Sequence, residues 1–309
     1  MAEPERAPPG PASRCGFIAL IGAPNAGKST LINALVGAKI SIVTPKVQTT
    51  RTLIRGIAVN GPAQLIFVDT PGIFAPRRRL DRAMVGTAWG GAQDADIVAL
   101  LVDSRTGLNE EDETIVRGLA NVSSPKKVVV LNKVDVADKP GLLTLAQRVN
   151  ERARFAATFM ISALTGSGVA DVGNWFAENV PPGHWLYPED QISDAPLRQL
   201  AAEITREKLY LRLHQELPYQ STVETDAWKE LKDGSVRIEQ TIYVARESQR
   251  KIVLGKNGQA LKAIGAAARA EIATEIEHPV HLFLFVKVSE NWGDDPERYR
   301  QMGLEFPPR

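Results

Sequence analysis

Gly22, Ala23, Pro24, Asn25, Ala26, Gly27, Lys28 and Ser29 fit the spacing GxxxxGK[ST], a glycine-rich turn whose backbone N–H groups converge on phosphate oxygens. Gly22 and Gly27 permit the tight wrap, and a helix starting there presents its positive end to the anion. Lys28 then reaches the terminal phosphates, the Ser29 hydroxyl is a ligand for Mg²⁺, and Thr30 lies next along the same turn. Asp69-Thr70-Pro71-Gly72 supplies a carboxylate that can hold Mg²⁺ through water and an amide, that of Gly72, that can meet a γ-phosphate. In Asn132-Lys133-Val134-Asp135 the last carboxylate can accept from both N1–H and the exocyclic amine of guanine, a donor pair adenine lacks. Asn132 can bind the base and tie the loop together, the Lys133 stem can cover the base plane, and a backbone N–H of Ser162-Ala163-Leu164 can meet the guanine O6. Each short segment alone has a plainer reading as a polar strand end. Beside the loop at Gly22, together they describe a guanine nucleotide site.

These residues need a scaffold that brings strand ends together. The chain has 309 residues, 44% hydrophobic and 24% charged, which suits two globular domains. Its apolar runs, such as 97–102 and 128–131, are strand-length and far short of the roughly 20 residues of a membrane helix. Residues 1–14 are rich in Pro, Ala and charge and read as a disordered tail without an export signal. The lone Cys15 allows no internal disulfide and favours the cytosol. From 15 to 182, apolar strands alternate with helical patterns (a helix over 29–36, a last strand over 156–161, a last helix over 169–178), predicting an α/β domain with a mostly parallel sheet. Asn60-Gly61-Pro62 between 53–59 and 64–68 predicts one antiparallel hairpin. All four motifs then fall at the carboxyl ends of strands, where one crevice can gather them.

Pro181-Pro182-Gly183 closes that pattern, and 183–196 reads as a linker whose aromatics can dock on a neighbour. Residues 197–309 follow with a helix over 197–216, strands near 223–229 and 236–244, and a basic helix over 248–254. Gly255-Lys256-Asn257-Gly258, a helix to about 274 and a strand over 281–288 complete the half. The net charge of +1 argues against a nucleic-acid partner, yet the total conceals a patch. Residues 195–309 balance 17 basic against 17 acidic side chains, whereas 246–262 holds Arg246, Arg250, Lys251, Lys256 and Lys262 against Glu247 alone. Two glycines admit a sugar-phosphate backbone to a helix start, and Lys256 adds charge. Ile252 and Val253 suit either base contact or core.

The first half resembles the translation-factor class of GTPases, and Gln48-Thr49-Thr50-Arg51 with Asn25 resembles its TrmE-Era branch. The resemblance implies that Thr49 and Thr50 lie in switch I, Thr50 being the contact to Mg²⁺ and the γ-phosphate, and that residues 69–79 form switch II. The run Arg77, Arg78 and Arg79 in switch II reads equally well as a solvated face. Ile73 stands where many GTPases carry a water-positioning glutamine, so intrinsic hydrolysis is expected to be slow, supported by Lys28, Mg²⁺ and loop amides. In relatives of this branch Asn25 helps hold a potassium ion; a loop brace is the alternative.

The second half, from its element order and its glycine loop, resembles a type II KH domain. The two together imply a GTP/GDP switch with Mg²⁺, and K⁺ as a candidate. The implied role is to bind the 3′ end of 16S rRNA and the 30S subunit during small-subunit assembly. They also imply a cytoplasmic monomer with peripheral inner-membrane contact. GTP would order the switches and favour an open RNA groove. An RNA-modification GTPase is the alternative, against which stands the lack of a modification site or cofactor fingerprint. A binding module with a merely structural nucleotide is the other.

Overall fold

The computed structural model describes residues 13–46, 49–123, 126–213, 220–290 and 292–307. The first half runs β1 (Arg14–Gly22), α1 (Lys28–Val36), β2 (Ile54–Asn60), β3 (Ala63–Asp69), α2 (Arg79–Asp94), β4 (Ile97–Asp103) and α3 (Glu110–Gly118). It continues with β5 (Lys126–Asn132), α4 (Lys139–Arg152), β6 (Ala157–Met160) and α5 (Val169–Asn179). The sheet order is β2-β3-β1-β4-β5-β6. Every pairing is parallel except β2 with β3, whose Asn60↔Ala63 register closes the expected hairpin. The inner strands are buried on both faces, which is why they read as unbroken apolar runs. One core cluster packs Leu31, Ile32 and Phe176 against the sheet; the other packs Ala88, Ile115 and Leu145 on the opposite face.

Strand β1 begins at Arg14, inside the expected tail, because its N–H finds the Pro62 carbonyl at 3.0 Å. The rest of that expected tail, residues 1–12, and Gln48 lie outside the described residues. Residues 183–196 run along the β2 edge. Ile57 N–H donates to the Ile192 carbonyl at 2.8 Å, Arg55 pairs with Asp194 at 2.7 Å, and Gln64 Nε2 donates to the Tyr187 carbonyl at 2.8 Å. An edge strand leaves backbone groups unpaired, and this segment satisfies them.

The second half comprises α6 (Leu197–Arg212), β7 (Ser221–Glu230), β8 (Val236–Val244), α7 (Glu247–Leu254), α8 (Gln259–Glu275) and β9 (Val280–Val288). Its sheet order is β7-β8-β9, antiparallel then parallel. The first helix stops at Arg212, short of the expected 216; residues 214–219 lie outside the described set. A last helix, α9 (Pro296–Gln301), has no counterpart in the sequence reading. It leaves the second domain: Trp292, Tyr299 and Leu304 bury themselves against Leu80, Ala83 and Met84 of α2. The C-terminal residues therefore form an interface between the halves.

Candidate functional site

A cavity of about 510 Å³ opens at the carboxyl ends of β1, β3, β5 and β6. Its wall includes Pro24, Asn25, Gly27, Lys28, Ser29, Thr30, Thr49, Thr50, Gly72, Asn132, Lys133, Asp135, Ala163 and Leu164. Gly22, Ala23, Ala26, Asp69 and Ser162 are not part of that wall. Gly22 and Ala23 offer carbonyls to Lys28 Nζ, each at 3.0 Å. The loop needs its glycines. Gly27 sits at φ 99°, and a Cβ there would come within 2.2 Å of Asn132 Nδ2. A Cβ on Gly22 would meet the Leu101 carbonyl oxygen at 2.4 Å. Burial lowers the Lys28 pKa to about 8, the Asp69 charge opposing that shift.

Asp69 ends β3 fully buried. Its Oδ2 accepts from the hydroxyls of Ser41 at 2.5 Å, Ser29 at 3.0 Å and Thr50 at 3.2 Å, and Ser29 Oγ lies 2.9 Å from Thr50 Oγ1. Its Oδ1 is buried without a hydrogen-bond partner. A buried orphan carboxylate oxygen beside hydroxyls suits a hard cation with oxygen ligands, so Ser29, Thr50 and Asp69 fit Mg²⁺. Burial pushes the Asp69 carboxyl up while the hydroxyls and Lys28 hold it down. The sequence does not single out Ser41; a lone serine in a switch segment carries no spacing signal. Gly72 sits against the phosphate loop, where a Cβ would stand 3.0 Å from the Pro24 backbone. Ile73 is buried in the core with its N–H on the Gly22 carbonyl at 3.1 Å, so its side chain does not reach the cavity.

Asn132 acts as the tie. Its Nδ2 donates to the Ala26 carbonyl at 2.8 Å, and its Oδ1 accepts from Lys133 N–H at 2.8 Å and Ala163 N–H at 3.0 Å. The Ala163 amide is thus engaged by Asn132, and Ser162 braces its own loop through Thr165 N–H at 3.2 Å. Lys133 adopts φ 68° and sends Nζ to the Asn25 carbonyl at 2.5 Å and to Asp103 Oδ2 at 2.7 Å. Burial pushes Asp103 upward, but Arg105 and Lys133 outweigh it and hold its carboxyl at about 2, ionised at neutral pH. Asp103 and Arg105 escaped the sequence reading because their strand end matches no motif. Asp135 is exposed on the cavity rim. Asn25 adopts φ 63° and its Nδ2 donates to the Pro45 carbonyl at 3.0 Å, bracing the loop against switch I. In switch II, Arg77 and Arg78 are exposed, as a solvated face requires, whereas Arg79 pairs with Asp294 at 3.3 Å and stacks on Phe306.

The basic loop joins α7 to α8. Gly255 and Gly258 take φ 70° and 74°, Asn257 φ 52°, and a Cβ on Gly255 would meet the Ala260 Cβ at 2.6 Å. Gly258 caps the N-terminus of α8. Arg246, Lys251, Lys256, Asn257 and Lys262 are exposed, and Arg250 is half-buried beside Glu247 at 3.1 Å. Ile252 is 56% exposed, while Val253 is fully buried in the second-domain core. Only Ile252 is thus available to a ligand. Arg269, exposed seven residues beyond Lys262 on α8, extends the basic face. The basic segment of the sequence reading ends at Lys262 and leaves Arg269 out.

A phosphate loop on a mostly parallel sheet, followed by a glycine loop between helices on a mixed three-stranded sheet, defines a P-loop GTPase domain joined to a type II KH domain. Residues 17–133 match the family described as 50S ribosome-binding GTPase, and residues 216–293 match the KH domain family. The GTPase Era of Brucella suis is 68% identical over 295 residues, covering 96% of this chain and 94% of that protein. A crystal structure of an Aquifex aeolicus Era variant bound to GDP and AlF4⁻ superposes with a TM-score of 0.88 at 36% identity, covering 94% of this chain and 99% of that one. A crystal structure of Era with MgGDPNP and nucleotides 1506–1542 of 16S ribosomal RNA gives the same TM-score, identity and coverage. The chain belongs to the Era family of GTPases.

Proposed function

We propose that this protein binds and hydrolyses GTP, and that it uses the nucleotide to control its grip on the 3′ end of 16S rRNA during small-subunit assembly. The observation that carries the reading is the convergence of Lys28, Ser29, Thr50, Asn132, Lys133 and Asp135 on one cavity while a basic glycine loop lies exposed on the attached KH domain. Similarity to an Era structure holding nucleotides 1506–1542 of 16S ribosomal RNA supports the RNA assignment. Contact with the 30S subunit, and peripheral contact with the inner membrane, extend the same family reading; no described helix is long and apolar enough to cross a membrane.

In this reading Lys28 exchanges the carbonyls of Gly22 and Ala23 for phosphate oxygens, and the loop amides hold the β-phosphate. Mg²⁺, when bound, would neutralise charge building on the β- and γ-phosphates. Thr50 and the Gly72 amide face the γ-phosphate and sense its loss. Water attacks in line, oriented without a glutamine because Ile73 is core, so basal turnover is slow. The Asn25 amide NH2 is spent on Pro45, leaving its oxygen as the atom able to meet K⁺. Asp135 reads guanine. GTP turnover by the full chain against Lys28→Ala, with RNA affinity compared between a GTP analogue and GDP, tests the assignment. Equal RNA affinity in the two nucleotide states contradicts the switch.

A further inference from the structure

Switch I is held from two sides, by Asn33 and Asp69 of its own domain and by residues of the other domain. Lys39 Nζ pairs with Glu207 of α6 at 2.8 Å and with Glu271 of α8, and Lys208 closes a ring of alternating charge on the same two carboxylates. Glu207 Oε1 also accepts the Val43 N–H at 2.9 Å. Lys46 Nζ donates to the Leu213 carbonyl, and Arg206 donates to the Thr49 carbonyl. Arg51 Nη1 donates to the Ser221 carbonyl at 2.7 Å, its guanidinium 5.6 Å from the rings of both Tyr210 and Trp292. Arg206 is 1% exposed and braced by Glu203, so its hydrogen bond to Thr49 comes from a side chain fixed on a helix. Glu207 is 3% exposed, so its hold on Lys39 and Val43 is shielded from water.

Thr50 lies between two of these grips. Its hydroxyl is 2.9 Å from Ser29 and 3.2 Å from Asp69, where a γ-phosphate and Mg²⁺ would be met. The described residues 37–46 and 49–53 contain no helix or strand that would order them, and fixing each residue costs about 1–2 kcal/mol of backbone entropy. Contacts from a packed helix offset that cost.

We propose that Arg206 and Glu207 are positioning residues of the GTPase site, contributed by the second domain, which set switch I so that Thr50 stands beside Ser29 and Asp69. The inference rests on the assignment of Thr50 to the γ-phosphate side of the site. Switch I then matters for the triphosphate and its turnover, whereas GDP is gripped by the phosphate loop and the base loop. Weakening the hold therefore separates the two nucleotides.

The test is GTP turnover, GTP-analogue affinity and GDP affinity for full-length Glu207→Ala, Glu207→Gln, Lys39→Met and Thr50→Ala. Glu207→Ala is expected to lower kcat roughly tenfold and weaken the analogue while GDP affinity stays within about twofold. Glu207→Gln keeps an acceptor for Val43 N–H and falls between Glu207→Ala and the parent. Lys39→Met shows the same split and decides the matter if Glu207→Ala does not fold. Unchanged turnover in a Glu207 variant that binds GDP normally, while Thr50→Ala is slow, overturns the positioning role. Equal loss of GDP and analogue binding overturns it too. Unchanged turnover in Thr50→Ala removes the Thr50 assignment, and the inference with it.

Discussion

Lys28 is a residue whose charge depends on its surroundings. Burial sets its pKa at about 8 against 10.5 for the exposed side chain. Between those values the unfolded chain holds more protons than the folded one, so stability of the free protein rises with pH across that window. Phosphate in the loop favours the charged amine, so nucleotide affinity is full below about pH 8 and falls as pH rises above it. Calorimetry at pH 8 in buffers of different ionisation enthalpy should show uptake of roughly half a proton per nucleotide bound; zero uptake contradicts the assignment of Lys28 to phosphate. At the other end of the cavity, Asp135→Asn should exchange preference for GTP for preference for XTP, read by competition binding. Retained GTP selectivity would place base recognition elsewhere.

At the scale of elements, strand ends and tight contacts decide what can move. β2 approaches the root of switch I so closely that a Cβ on Gly56 would lie 2.3 Å from Ile40 Cδ1 and 2.9 Å from Val36 Cγ2. Gly56→Ala should cost about 1–3 kcal/mol in urea denaturation through overpacking. Met84 of α2 is fully buried in the cluster with Trp292, Tyr299 and Leu304. Met84→Ala should cost about 2–5 kcal/mol by the same measurement. Because that cluster joins the C-terminal segment to α2, the loss also loosens the contact between the halves. A cost below about 0.5 kcal/mol would mean the C-terminal segment contributes little to stability.

Across the whole molecule, charge balance conceals function. The formal charge is +1, yet Arg246, Lys251, Lys256 and Lys262 stand exposed together around the glycine loop. Single-stranded RNA binding by these residues should weaken with salt, at a slope of roughly −3 in log K against log salt for four to five phosphate contacts. Lys256→Glu should weaken binding and flatten that slope; an unchanged slope would move the RNA site off the loop. For the nucleotide half, faster GTP turnover in K⁺ than in Na⁺ is expected from Asn25, and equal rates leave Asn25 only its brace on Pro45.

The GTPase half was readable because its chemistry is local: short runs at strand ends, each with a spacing set by one backbone turn. Gly27 shows this, since the glycine that marks the motif is also the only residue that fits against Asn132. The KH order was readable for the same reason, from periodicity and one loop. Contacts between residues far apart in sequence carry no such periodic signal. Ser41 on Asp69, the docking of 183–196 on the β2 edge, the burial of Trp292 and Tyr299 against α2, and the grip of Glu207 on Lys39 link positions 28, about 130, about 210 and 168 residues apart. The sequence by itself determined the two folds and picked out most of the residues that line the cavity at the strand ends. Only the tertiary structure decided that the KH half grips Lys39, Val43, Thr49 and Arg51 of the other, because that contact depends on how two finished domains pack.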